Sequence, residues 1–209
     1  MVSKFIVGIE PFLSQAAAQW SDAEPGISFS KHEIKLDREY KFNLDFLASY
    51  SPSEVTGFVA WGNDFLNFQR WELVGELKKR GFRMPSLIHP SVVCATEALI
   101  GENSWIMPQA AIFPDVKIGL NCVIGFATNI GTGVFLSNNV WIGSYSTIGN
   151  KCVVNSHVTI GDFVRVNDGI TIGRYAIREL PTHIKSDVSD RSFSLSQGSL
   201  FGNIFDYGI

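Results

Sequence analysis

Ile118-Gly119-Leu120-Asn121-Cys122-Val123-Ile124-Gly125-Phe126-Ala127-Thr128-Asn129-Ile130-Gly131-Thr132-Gly133-Val134-Phe135-Leu136 is the most regular stretch of a longer pattern. Ile118, Ile124, Ile130 and Leu136 stand six residues apart. The interval runs back through Ile112, Ile106, Ile100 and Cys94 to Ile88, and on through Ile142, Ile148, Val154, Ile160 and Val166 to Ile172, with Cys94 the one place that is not aliphatic. Four residues after each position up to Val166 comes a small or β-branched residue, such as Ala110, Cys122, Thr128, Val134 or Ser146, and glycine often follows directly, as at Gly101, Gly119, Gly125, Gly143 and Gly161. A helix repeats every 3.6 residues and a strand every 2, so a strict six excludes both as continuous elements. It predicts a short strand, a corner and another short strand, with the large residue and its small partner inward. Glycine is expected at the corner, where φ is awkward for a residue with a Cβ. Such units bury an apolar face only by stacking, which makes the run a parallel β-helix. With three hexads to a triangular coil, it predicts about five turns.

Working outward, residues 1–87 read as α/β. Lys4 to Ile9 is the expected first strand, Pro11 to Trp20 a short helix, Ile27–Phe29 and Thr56–Trp61 further strands, and Asn67–Arg80 a second helix closed by Gly81. That alternation predicts a small parallel sheet. Past Gly173 the period ends, so 174–187 are expected to cap the open end of the solenoid. Ser192 to Ile209 carries Phe193, Leu195, Leu200, Phe201, Ile204, Phe205 and Tyr207, too aromatic for a solvated linker; it is expected to pack on its own or a neighbouring subunit, the alternative being a substrate lid.

Composition narrows the class. The chain is 45% hydrophobic and 18% charged, a globular balance with an ample core. A net charge of −3 and a pI near 5.8 give no footprint for nucleic acid. The longest basic run, Lys78-Lys79-Arg80, suits a helix C-terminus. Neither a leader-like apolar segment nor a membrane-spanning length is read, so the expected location is cytoplasmic. Cys94, Cys122 and Cys152 all fall on inward positions, with no zinc-like spacing. With only four histidines and no closely spaced pair, no metal is expected.

The hexads, the segment Phe58-Val59-Ala60-Trp61-Gly62-Asn63, the helix end Lys78-Lys79-Arg80-Gly81-Phe82 and the join Leu87-Ile88-His89-Pro90-Ser91 together resemble the hexapeptide-repeat acyltransferases. Within them the chain is similar to the sugar N- and O-acetyltransferases of sialic-acid and bacillosamine pathways. The resemblance implies a left-handed β-helix over 88–173, a small Rossmann-like domain over 1–87, a cap and aromatic tail over 174–209, and a homotrimer with active sites between adjacent β-helices. It also implies acetyl-CoA or another acyl-CoA as co-substrate and a nucleotide-linked or polysaccharide-precursor sugar as acceptor. The chain departs from the family in its first turn, where Gly8-Ile9-Glu10-Pro11-Phe12 replaces a glycine-rich loop. Phosphate cradling needs free N–H groups without a nearby negative charge, and Glu10 and Pro11 oppose both.

Outward positions sort into columns, because residues 18 apart share a face. Trp105, Val123, Trp141 and Thr159 form one column, Leu99, Lys117, Phe135, Val153 and Thr171 a second, and Val93, Ala111, Asn129, Thr147 and Arg165 a third. Two tryptophans in one exposed column predict a subunit interface, or alternatively the wall of a ligand groove.

Acyl transfer from a thioester needs a nucleophile, usually a base, and donors for the oxyanion. The resemblance places the usual catalytic histidine at Thr132 and a second histidine at Trp141, both changed here. His157 is then the remaining candidate in the solenoid, with Asn155, Asp162 or a neighbouring subunit to orient it, and otherwise a surface or interface residue. His89 is expected to cap the domain join, and His32 and His183 to be solvated. Trp141, Gly143 and Gly161 are the expected cofactor contacts, with backbone N–H groups near the two glycines as oxyanion donors. Asn63, Asn129, Asn138 and Asn139 are the expected sugar contacts. Without a base, an amine acceptor held against the thioester is favoured over a hydroxyl. The alternative is a catalytically silent relative that acts as a structural or regulatory partner.

Overall fold

The computed structural model describes residues 4–35, 42–63 and 67–194, together with the backbone of 201–203. β1 (Lys4–Gly8) lies between β2 (Phe29–Glu33) and β3 (Thr56–Ala60), both parallel to it. Every residue of β1 is buried, as a central strand covered on both faces requires. Helix α1 (Phe12–Ala23) follows β1. Helix α2 (Phe68–Lys79) follows β3 and stops at Gly81, whose φ of 84° suits glycine, with Lys78 and Lys79 in its last turn.

From Leu87 the backbone forms two-residue strands joined by four-residue corners. Each residue lies over the one 18 positions on: Trp105 pairs with Val123, Val123 with Trp141 and Trp141 with Thr159. Three parallel sheets result, one per face. Ile106, Ile112, Ile118 and their successors fill the interior with the small partners Ala110, Val116 and Cys122. The fold is a parallel β-solenoid of about six turns.

Four expectations need correction. The solenoid does not stop at Gly173: strands Ile177–Arg178 and His183–Ile184 continue it, which is why about six turns replace about five. Arg178 hid the continuation by standing where an aliphatic residue was due. Only 5% exposed, it donates to the carbonyls of Ile177 (2.7 Å) and Ser192 (3.0 Å), so the terminal segment satisfies its head group.

The glycines after the aliphatic positions do not supply left-handed backbone. Positive φ falls two residues later, at Asn103, Gln109, Asp115, Asn121, Asn139, Tyr145, His157 and Tyr175 among others. The glycines are needed for close stacking: a Cβ on Gly119 would sit 2.7 Å from the Ser137 carbonyl carbon and 2.6 Å from Asn138 Oδ1.

Cys94 is exposed, unlike buried Cys122 and Cys152, because it belongs to the first coil, which has no coil beneath it.

The tryptophan column is not a free outer face. Trp105, Val123 and Thr159 are buried. The chain's own N-terminal layer covers them: Trp105, Val123 and Trp141 join Leu13, Ala16, Trp20 and Phe58 in one apolar cluster. Trp105 Nε1 donates to Gln19 Oε1 at 2.8 Å, and Phe12 meets Trp141 edge-on at 6.2 Å. This seam joins α1 to the solenoid, so a subunit interface through Trp105 is excluded.

The strand Ser192–Ser194 adds to the same sheet beside Ile177 and pairs antiparallel with Phe201–Asn203. Leu195, Leu200, Ile204, Phe205 and Tyr207, and the Phe201 side chain, lie outside the described residues.

Gly119→Ala is expected to force backbone apart between coils and to lower stability by about 1–3 kcal/mol in urea unfolding.

Candidate functional site

The solenoid edge that faces α2 gathers polar and aromatic groups with the least ordinary environments. Asn103, Asn121, Asn139, His157 and Tyr175 succeed one another there at intervals of 18, all with positive φ. Asn tolerates this conformation better than most residues, and the stacking then sets one side chain above the next.

The three asparagines are fully buried and linked. Asn103 Oδ1 accepts from the Val59 N–H at 2.7 Å, and Asn103 Nδ2 donates to Asn121 Oδ1 at 2.8 Å. Asn121 Nδ2 donates to Asn139 Oδ1 at 2.7 Å. Asn139 Nδ2 lies 2.9 Å from His157 Nδ1 and also donates to the Asn67 carbonyl at 3.4 Å.

Arg70, from α2, closes the seam. Its side chain is fully buried, and its two terminal nitrogens each donate at 2.7 Å, to the carbonyls of Asn103 and Asn121. Burial pushes the guanidinium down to about 9, still charged at neutral pH. Its Nε and Asn67 Oδ1 have no partner among the described residues.

His157 is half-buried. Its ring is nearly parallel to Phe68 (5.2 Å, 10°) and Tyr175 (4.9 Å, 9°), with Trp71 edge-on at 5.5 Å. Burial first, and the Arg174 charge second, hold its imidazole below the ordinary histidine range. Ser156 Oγ lies 2.7 Å from Ser137 Oγ.

The other expected site residues are dispersed. Asn155 does not orient His157; its Nδ2 donates to the Ile172 carbonyl at 2.9 Å. Thr132 lies on a different edge, where its N–H donates to Asn150 Oδ1 (2.9 Å). The N–H groups of Gly143 and Gly161 themselves are engaged, bonding the Ile160 and Arg178 carbonyls of the next coil at 2.7 and 2.8 Å. Buried Asn139 is a ladder member and not a sugar contact. Asn138 is exposed, but its Oδ1 caps the Leu120 N–H at 3.0 Å. Asn129 is exposed on another face, Asn63 is half-buried, and Trp141 is half-buried against Phe12.

Among the other histidines, His89 Nδ1 accepts from the Ser91 N–H at 3.1 Å, a cap at the domain join. His183 bonds Asn167 at 2.7 Å. His32 is half-buried rather than fully solvated: it stacks on Phe46 at 4.1 Å and bonds the Tyr50 hydroxyl at 2.8 Å, and burial lowers its pKa. The turn after β1 carries its own anion, since Glu10 accepts from the Ser14 N–H (3.2 Å) and hydroxyl (2.7 Å) in the first turn of α1.

Reading single hexads hid Asn103, Asn121, Arg70, Phe68 and Tyr175. Three asparagines at an interval of 18 were the available signal for the ladder. Arg70 gave none, because its burial depends on how α2 docks. Among the described residues no group of three or more His, Cys, Asp or Glu side chains is placed to hold a metal ion. No described helix is long and apolar enough to cross a membrane.

Residues 82–192 match the family described as "GMPPB C-terminal domain". Solved structures share the fold over nearly the whole chain. A histidine-to-asparagine variant of perosamine N-acetyltransferase from Caulobacter crescentus, in complex with CoA and GDP-perosamine, is 20% identical, with 97% of each chain covered and a TM-score of 0.82. The acetyltransferase domain of PglB from Neisseria gonorrhoeae FA1090, in complex with acetyl coenzyme A, is 20% identical over 92% of this chain and 96% of that one, with a TM-score of 0.76. WeeI from Acinetobacter baumannii AYE is 17% identical over 96% and 100%, with a TM-score of 0.82.

Arg70→Met is expected to strand two buried carbonyls and to lower stability by about 2–4 kcal/mol in urea unfolding.

Proposed function

The chain belongs to the GMPPB C-terminal domain family, and from that premise we propose that it is an acyl-CoA-dependent transferase. It moves an acetyl or related acyl group to an amino or hydroxyl group of a nucleotide-linked or polysaccharide-precursor sugar. The observation that carries the reading is the match of both halves of the chain, in the same order, to structures in complex with CoA and a GDP-sugar or with acetyl coenzyme A.

The site geometry favours the amine. Attack by a hydroxyl requires removal of its proton, whereas an uncharged amine already carries a free electron pair. At the edge facing α2, the one imidazole has its Nδ1 engaged by Asn139, and Thr132 is on another edge. In our reading Ser156, His157 and Arg174 line the place where acceptor and thioester meet, and position rather than base strength supplies the rate. The Glu10 carboxylate at the start of α1 disfavours anchoring of acceptor phosphates in that turn. This shifts the acceptor towards a sugar gripped elsewhere than by its diphosphate.

The assembly in this reading is a homotrimer in the cytoplasm with the CoA arm between solenoids. With Trp105 covered, the outward apolar residues available for contact include Val93, Leu99, Phe113 and Phe135. A second reading, a silent structural partner, is favoured by the closed turn at Glu10 and the engaged N–H groups of Gly143 and Gly161.

Calorimetry with acetyl-CoA, run beside a mass measurement of the assembly, separates the two. We expect micromolar binding at about one site per chain in a trimer, and release of free CoA thiol when amino sugars are added. A folded assembly that binds neither acetyl-CoA nor longer acyl-CoAs contradicts the transferase reading.

A further inference from the structure

The asparagine ladder is directional, and its direction is set at one end by chemistry. The Val59 N–H can only donate, so the Asn103 atom 2.7 Å from it is the amide oxygen. Asn103 Nδ2 therefore points away from that N–H, donating to the Val59 carbonyl at 3.3 Å and to Asn121 Oδ1 at 2.8 Å. An amide has one oxygen and one nitrogen, so the same orientation passes to Asn121 and then to Asn139. The last member ends with both N–H groups directed outward, to the Asn67 carbonyl and to His157 Nδ1. Reversing any one asparagine would set two amide nitrogens or two amide oxygens against each other in a fully buried seam. Arg70 holds the backbone of the first two rungs in place through their carbonyls.

We infer that Asn139 is a positioning residue that makes His157 Nδ1 an acceptor and so fixes the ring as the neutral Nε2–H tautomer. His157 then presents a hydrogen-bond donor at the solenoid edge rather than a basic lone pair. The parallel rings of Phe68 and Tyr175 and the edge-on Trp71 restrict its plane. Protonating Nδ1 would drive an N–H into the Asn139 amide, and burial with the nearby Arg174 charge opposes the imidazolium as well. The orientation of this histidine is set by an N–H of β3 in the N-terminal sheet, so domain docking and imidazole chemistry are coupled. A ligand suited to this edge brings an acceptor, such as a carbonyl or phosphoryl oxygen, to Nε2. The tautomer does not depend on the transferase reading, and its test needs no substrate.

The test is nitrogen-15 NMR of the histidine-labelled full chain, with His157 assigned by its disappearance in His157→Gln. At neutral pH we expect Nδ1 at the shift of an unprotonated ring nitrogen and Nε2 at that of an N–H. The ring should stay neutral to below the ordinary histidine range. In Asn139→Asp, which still accepts from Asn121 but no longer donates, we expect His157 to gain a proton on Nδ1 and to titrate at higher pH. A wild-type spectrum with the proton on Nδ1, or with a charged ring at neutral pH, overturns the inference. So does a folded Asn139→Asp variant with the tautomer unchanged. If Asn139→Asp does not fold, the wild-type spectrum alone decides.

Discussion

Backbone stacking at 18 residues per coil is the constraint on which the rest of this molecule depends. Parallel pairing puts each side chain directly above its successor, and along the α1 face the 18-residue register holds from Leu87 to Ile177, shortening to 16 at the closing strand, where Ile177 pairs with Phe193. Interior columns of isoleucine and valine close on small partners and shed water, a non-directional drive that requires only repetition. The same stacking lets one amide bond the next along the Asn103–Asn121–Asn139 column. It also sets the edge aromatics parallel, as in Tyr145 over Phe163 at 5.2 Å and 7°.

The N-terminal layer is joined to the solenoid by two seams of different character. Along α1 the seam is mainly apolar, with Trp20, Phe58 and Trp105 in edge-to-face contact and polar links from Gln19 to the Trp105 indole and from Asp22 to His89. Along α2 it is polar, with Arg70 and the ladder satisfying one another's buried groups. An apolar seam gives adhesion, whereas a polar one fixes position, because a shift of one residue leaves several buried donors unpaired. That pairing makes the N-terminal sheet part of the site's geometry even where its first turn, closed by Glu10, is poorly suited to anions.

How much of this was legible in the sequence depended on range. Ile88 to Ile172 announced the solenoid because each hexad carries its own signature. Arg178 concealed the final turn, since its burial needs the carbonyl of Ser192 from a later segment. Trp105 read as exposed because nothing in residues 12–20 says which face they will cover. The glycines were assigned to the right positions for a different reason: closeness to the next coil, not left-handed φ, excludes a Cβ there. The sequence points to His157 but offers only near neighbours, Asn155 and Asp162, or another subunit as its partner. The actual partner, Asn139, lies 18 away, one coil back.

The central claim is that the sheet, the ladder and the solenoid form one cooperative unit, with β3 anchoring the column that ends at His157. Equilibrium urea unfolding followed by tryptophan fluorescence, far-ultraviolet circular dichroism and amide exchange at Val59 tests it most directly. We predict coincident transitions, with the Val59 amide as protected as those of Trp105 and Val123. Two separated transitions, with Val59 exchanging before the solenoid opens, would contradict the account.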